Sequence, residues 1–87
     1  MRTIDKNSPL SYYYQLKQIL IEMLDNRELE EDEKLPTEKE LCERFNISRV
    51  TVRQALQELE NEDYIYKIQG KGTFVSPKRL QLSLIHI

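Results

Sequence analysis

Arg49 and Arg53 stand four residues apart in the stretch SRVTVRQALQ (48–57), so on a helix they lie one turn apart and project the same way. A guanidinium is a planar fork of N–H donors. The O6 and N7 acceptors on the major-groove edge of guanine match that fork with two parallel hydrogen bonds. Gln54 and Gln57 share the outer side with the arginines, and no acid interrupts that side between Arg44 and Gln57. Ser48 and Thr51 place hydroxyls at the start of the stretch, where the free backbone N–H groups of a helix N-terminus suit phosphate oxygens. The competing chemistry is internal, with both arginines merely paired to nearby acids such as Glu43 or Glu58.

Several elements must position these side chains. Val52, Ala55, Leu56 and Leu59 recur at i, i+3, i+4 and i+7, an apolar face opposite the arginines, and Ser48 is a suitable N-cap. These signals predict a helix from about Arg49 to Asn61 or Glu62. Eleven residues before Ser48, Thr37 is followed at the third position by Glu40, the reciprocal capping pattern of another helix start. That helix is predicted over Glu38–Phe45, with Leu41 and Phe45 inward. Phe45-Asn46-Ile47 leaves room only for a tight turn between the two. Two short helices around such a turn, the second with a basic, Gln-rich outer face, form the pattern of a helix-turn-helix DNA reader.

Upstream, Pro9 blocks a helix from continuing through it and Ser11 is a candidate N-cap. Tyr12, Tyr13, Leu16, Ile19, Leu20, Met23 and Leu24 then follow three–four spacing, predicting a first helix that ends near Asp25-Asn26. Downstream, Tyr64–Ile68 and Thr73–Val75 are rich in β-formers and flank Gly70-Lys71-Gly72, predicting a short hairpin. A lone hairpin is marginal in water and must pack on the helices, with Ile65, Ile68 and Phe74 as expected anchors. The expected fold is mainly α with a small β-hairpin: three helices plus a two-stranded wing, a winged helix-turn-helix. Its domain is expected over residues 9–76, with residues 1–8 a loose arm and 77–87 a linker or truncated tail.

Composition narrows the function classes. At 87 residues the chain makes one small domain. No apolar run approaches a membrane span, and no secretory signal pattern opens the chain, so a cytoplasmic setting without membrane contact is expected. The single cysteine, Cys42, cannot form an internal disulfide and reads as a small inward apolar side chain. No nucleophile–base pair, metal cluster or phosphate-cradling loop is evident, so neither an enzyme nor a cofactor or metal is expected. Net charge is −2, but unevenly spread. Between Glu22 and Glu33 seven acids (Glu22, Asp25, Glu28, Glu30, Glu31, Asp32, Glu33) face one base, Arg27. Between Tyr64 and Arg79 four bases (Lys67, Lys71, Lys78, Arg79) face no acid. An acidic back with a basic front is compatible with phosphate contact. The acidic stretch itself reads as a solvated connector; it lacks the spacing and glycine of an EF-hand.

Three segments in order, LPTEKEL (35–41), FNISRVTVRQAL (45–56) and GKGTFV (70–75), with YYQL (13–16) as a weaker fourth, resemble the N-terminal DNA-binding domain of the GntR family of bacterial transcription regulators, most closely its HutC-type branch. The resemblance covers about residues 9 to 76. It implies a sequence-specific DNA-binding domain of a regulator, commonly a repressor, with the helix at 48–60 in the major groove and the wing at 64–75 in the minor groove. Glu38 and Lys39 match positions where the family approaches the phosphate backbone. Ser48, Arg49 and Thr51 match the start of the recognition helix, and Arg53 a base-reading position, with Gln54 beside it on the outer face. Gly70, Lys71 and Gly72 match the wing tip. Arg44 and Thr73 match further backbone-contact positions.

The resemblance also implies partners: double-stranded DNA with a palindromic operator, a homodimer in the full-length form, and a small-molecule effector bound by a C-terminal domain for which residues 76–87 leave no room. The final LSLIHI alternates like the first strand of such a domain and also resembles adapter read-through. The family often has glycine where this chain has Arg27, Asp32 and Asp63, at loop or helix-end positions. A second functional class, a winged helix that binds a protein partner and has lost DNA, is favoured by the acidic connector. The Arg49, Arg53 and Lys71 set argues against it.

Overall fold

The computed structural model describes residues 3–77, and within them the element order is α1 (Tyr12–Asp25), α2 (Glu38–Phe45), α3 (Arg49–Asn61), β1 (Ile65–Ile68) and β2 (Gly72–Val75). The tail 78–87, including LSLIHI, lies outside the described residues. The chain is a winged helix-turn-helix. Its helix boundaries follow local chemistry. Thr37 Oγ1 accepts the Glu40 N–H at 3.1 Å while Glu40 Oε1 accepts the Thr37 N–H at 2.8 Å, a complete capping box at the start of α2. The Thr37 bonds hold the Glu40 carboxyl below the usual carboxylate range. The box therefore contributes stability at neutral pH and loses it as the pH falls through that depressed value. Ser48 Oγ accepts the Thr51 N–H at the start of α3. Ser11 stands at the cap position of α1, but its side chain makes no cap bond.

Left-handed backbone ends the helices. At the C-terminus of α1, Arg27 has φ 59°, its N–H reaches Leu24 O and the Glu28 N–H reaches Met23 O. Asp63 (φ 65°) closes α3 the same way, through its own N–H to Glu60 O and the Tyr64 N–H to Leu59 O. Both are Schellman closures, for which glycine is favoured. Asp32 (φ 62°) is also left-handed, so the three positions where the family often has glycine all need that geometry here. A left-handed non-glycine residue costs about 1–2 kcal/mol, offset by the extra chain entropy glycine loses, about 0.5–1 kcal/mol. Arg27→Gly and Asp63→Gly are each expected to raise stability by about 0.5–1 kcal/mol, read as an increase of several degrees in Tm. A fall in Tm for both would contradict this account.

One core joins the elements. Leu16, Leu20 and Leu24 of α1, Leu41 and Phe45 of α2, and Val52, Ala55, Leu56 and Leu59 of α3 are buried together with Leu35, Ile65 and Val75. β1 and β2 pair antiparallel with Ile65 opposite Val75 and Tyr66 opposite Phe74. The anchors differ in part from expectation. Ile65 is buried, but Ile68 is 38% exposed and Val75 takes the second inward place. Side chains three apart on a strand point to opposite faces, so Ile65 and Ile68 cannot both face the helices. Phe74 lies on the other face, stacked on Tyr66 with centroids 5.6 Å apart.

Two further segments depart from the sequence reading. The arm is not loose from Thr3 onward. Ile4 is buried in the core, the Asp5 N–H donates to Gln15 Oε1 at 2.7 Å, and Lys6 Nζ donates to Asn46 O at 2.6 Å. One isoleucine in a polar stretch carries no periodicity, so only tertiary burial reveals it. The acidic connector is not simply solvated either, nor a separate acidic back. The Asp32 N–H reaches Val75 O, the Val75 N–H reaches Glu33 O, the Leu35 N–H reaches Thr73 O, and Lys34 bridges to Phe74. An edge strand presents unpaired backbone groups, and the connector satisfies those of β2. Tyr66 donates its hydroxyl to Asp32 Oδ1 at 2.7 Å, which pushes the phenol pKa up.

Candidate nucleic-acid interface

The buried face of α3 fixes where its other face points. With Val52, Ala55, Leu56 and Leu59 inward, Arg49, Arg53, Gln54 and Gln57 are all exposed. Asn46 at φ 55° ends α2 and sends the chain back toward α3, with the Ile47 N–H bonded to Cys42 O. Cys42 is half-buried and packs against the core, as its apolar reading expected. Ser48 Oγ and Thr51 Oγ1 lie 2.9 Å apart, so both hydroxyls belong to the cap of α3.

Arg53 is paired, but not with the acids expected. Its Nε and Nη2 donate to the two carboxylate oxygens of Glu38, at 3.4 and 3.3 Å. Glu38, in the first turn of α2, thus acts first on Arg53. The guanidinium side chain is still 63% exposed and the carboxylate is partly shielded. An exposed pair of this kind adds little stability. The pair uses Nε and Nη2 and leaves the Nη1 donors outside it. Glu58 is engaged elsewhere. Lys17 of α1 bonds Glu58 Oε1 at 3.2 Å and also pairs with Glu62, and both carboxylates raise the Lys17 pKa. Two of the acids near the C-terminus of α3, Glu58 and Glu62, therefore share one base on α1.

The remaining expected residues lie in two adjoining clefts, on the exposed side of α2 and at the hairpin tip. Glu38, Arg53 and Thr73 line one cleft, which α2, α3 and the wing form together with Gln57 and Lys67. Thr37, Glu38, Gly72 and Thr73 line a second cleft that also includes Lys34. Lys39 and Arg44 are exposed on α2 and line neither cleft. Gly70 and Lys71 are exposed at the hairpin turn, where Gly70 has φ 81°. Gly72 has φ 132°, and a Cβ there would stand 2.8 Å from Lys34 Cε. Glycine at 72 thus serves the backbone turn, while the flexible end of Lys34 passes beside it.

Sequence reasoning did not place three residues at this surface, although Lys67 counted among the bases of the wing. Lys34 sits in a run of acids and reaches the wing only through the connector's bonds to β2. Lys67 is an exposed strand position in the cleft between α3 and the wing. Val50 is 73% exposed on α3. Its signal was present: it falls outside the apolar register set by Val52, Ala55, Leu56 and Leu59. Among the described residues no cluster of His, Cys, Asp and Glu could hold a metal ion, and no helix is long and apolar enough to cross a membrane. The surface can offer arginine and glutamine donors to base edges, flanked by lysines and helix N–H groups for phosphates.

Comparison with known proteins agrees with this geometry. Residues 12–75 match the family described as bacterial regulatory proteins, gntR family. The chain is 47% identical over 81 residues to the HTH-type transcriptional repressor NagR of Bacillus subtilis, covering 93% of this chain and 33% of that protein. It is 52% identical over 71 residues to the arabinose metabolism transcriptional repressor of Geobacillus stearothermophilus, covering 82% of this chain and 20% of that protein. The chain thus spans a third or less of these two relatives. Among solved structures, AraR(DBD) in complex with operator ORE1 superposes with a TM-score of 0.77 at 35% identity, covering 83% of this chain and 88% of that one.

Proposed function

The chain belongs to the gntR family of bacterial regulatory proteins, and from this premise we propose that it is the sequence-specific DNA-binding domain of a cytoplasmic transcriptional repressor. In this reading α3 enters the major groove of double-stranded DNA and the wing enters the adjacent minor groove. One observation carries the reading: the outer face of α3 presents Arg49, Arg53 and Gln54 in the open, and Glu38 of α2 pairs with Arg53 at its edge. In the same reading Lys39, Arg44 and Lys71 contact phosphates, and Ser48 and Thr51 aim the start of α3. The repressor names of the relatives and the operator-bound AraR domain support the same reading. In the full-length protein a further domain would dimerise the chain on a palindromic operator and bind a small-molecule effector.

The test is fluorescence anisotropy with duplexes enriched from a random-sequence library at low salt. If Lys39, Arg44 and Lys71 neutralise about three phosphates, the log–log salt slope is about −2.7, an affinity loss of about fortyfold between 50 and 200 mM salt. Binding that ignores salt, or a retained protein partner with no DNA shift at low salt, would overturn the reading.

A further inference from the structure

We propose that Val50 reads the 5-methyl group of a thymine in the bound duplex, making it a specificity-determining residue beside the arginines; this rests on the DNA-binding reading above. Val50 is the most exposed of the large hydrophobic side chains exposed among the described residues, at 73%. Burial does not account for it, since the apolar face of α3 is complete without it. Helix propensity does not favour it, because a β-branched residue on an exposed helix face is worse than alanine. It is the second residue of α3, in the part of a recognition helix that approaches base edges. It also shares one open surface with Arg53, Gln54 and Gln57, at i+3, i+4 and i+7 from it, and with Glu58, whose carboxylate Lys17 engages.

That surface sets an apolar branched tip among donors suited to guanine and adenine edges. In the major groove the one apolar feature of a base edge is the thymine methyl, and apolar side chains contact it. Val50 therefore supplies what the arginines and glutamines cannot: discrimination of thymine from cytosine by a methyl contact. Because Val50 has little to lose in the fold, removing it should leave the structure intact.

The experiment crosses a side chain with a single methyl group. Duplexes enriched by the full chain from a random library are remade with deoxyuridine at each thymidine, which removes the 5-methyl and leaves pairing unchanged. Affinities of the wild type and Val50→Ala are then measured on both forms. We expect the wild type to bind the uracil form about fourfold more weakly for one lost methyl contact. Val50→Ala, with its shorter side chain, should lose clearly less on the uracil form than the wild type does, with an unchanged circular dichroism spectrum. Equal loss in the wild type and the variant would assign the methyl to another residue and overturn the proposal. Equal binding of both forms by the wild type would overturn it too, while leaving salt-dependent DNA binding intact. If no duplex is enriched at all, the DNA-binding reading falls and the proposal falls with it.

Discussion

Arg49→Ala combined with Arg53→Ala is expected to reduce affinity for an enriched duplex by at least about thirtyfold and to flatten the preference among duplexes. A bidentate arginine–guanine pair carries about 1–3 kcal/mol of discrimination. Two such pairs amount to about 2–6 kcal/mol, or roughly 30-fold to more than 10,000-fold. The fold should not contribute to this loss. Both side chains are exposed, and among the described residues Arg53 is ion-paired with Glu38 alone. Lys71→Ala provides the contrast. A wing-tip phosphate contact carries no sequence information, so its loss should weaken all duplexes alike and lower the salt slope by about one. Anisotropy titrations on matched and scrambled duplexes separate the two patterns. A double arginine variant that keeps its preference would show that α3 does not read the bases. Glu38 adds a further distinction: if it orients Arg53, Glu38→Gln should reduce preference more than affinity.

The second large effect concerns the fold. Leu59→Ala is expected to cost about 3–5 kcal/mol, because Leu59 is fully buried on the inner face of α3 and its truncation leaves a cavity that the surrounding residues close only in part. Small domains have little margin, at about 5–15 kcal/mol for native proteins generally. The variant should therefore unfold far earlier in urea. The chain contains no tryptophan, so far-ultraviolet circular dichroism is the natural readout. Leu59→Met, which nearly conserves volume, should cost less than about 1.5 kcal/mol. A loss below that value for Leu59→Ala would show that the core is not continuous through α3. Because Leu59 faces inward and Arg53 outward, its effect on DNA binding should track the unfolded fraction alone.

The helices and the turn were legible because their signals are local. The Thr37–Glu40 box, the Ser48 cap and the apolar faces of all three helices involve residues within two turns of one another, where spacing maps directly onto geometry. The outward set on α3 followed from the same periodicity, since a helix with one buried face must expose the other. Positions 27, 32 and 63 could be marked as ones where glycine is usual, and each proved left-handed. Strand parity was equally local, yet Ile68 was assigned inward; the pleat placed Val75 there instead.

Only the tertiary structure decided the rest, because those contacts join residues far apart in sequence whose types do not specify a partner. Arg53 had acids available on its own helix and took Glu38, 15 residues away on α2. Lys17 gathered Glu58 and Glu62 from across the α1–α3 interface. The connector read as solvent-exposed because its side chains are charged. What fixes it is its backbone, which satisfies the open edge of β2 and brings Lys34 to the wing. By itself the sequence determined the helical scaffold and the α3 face with Arg49, Arg53 and Gln54. Folding decided how Arg53 is held and that Val50 stands beside it in the open, since exposure and pairing depend on what the rest of the chain covers.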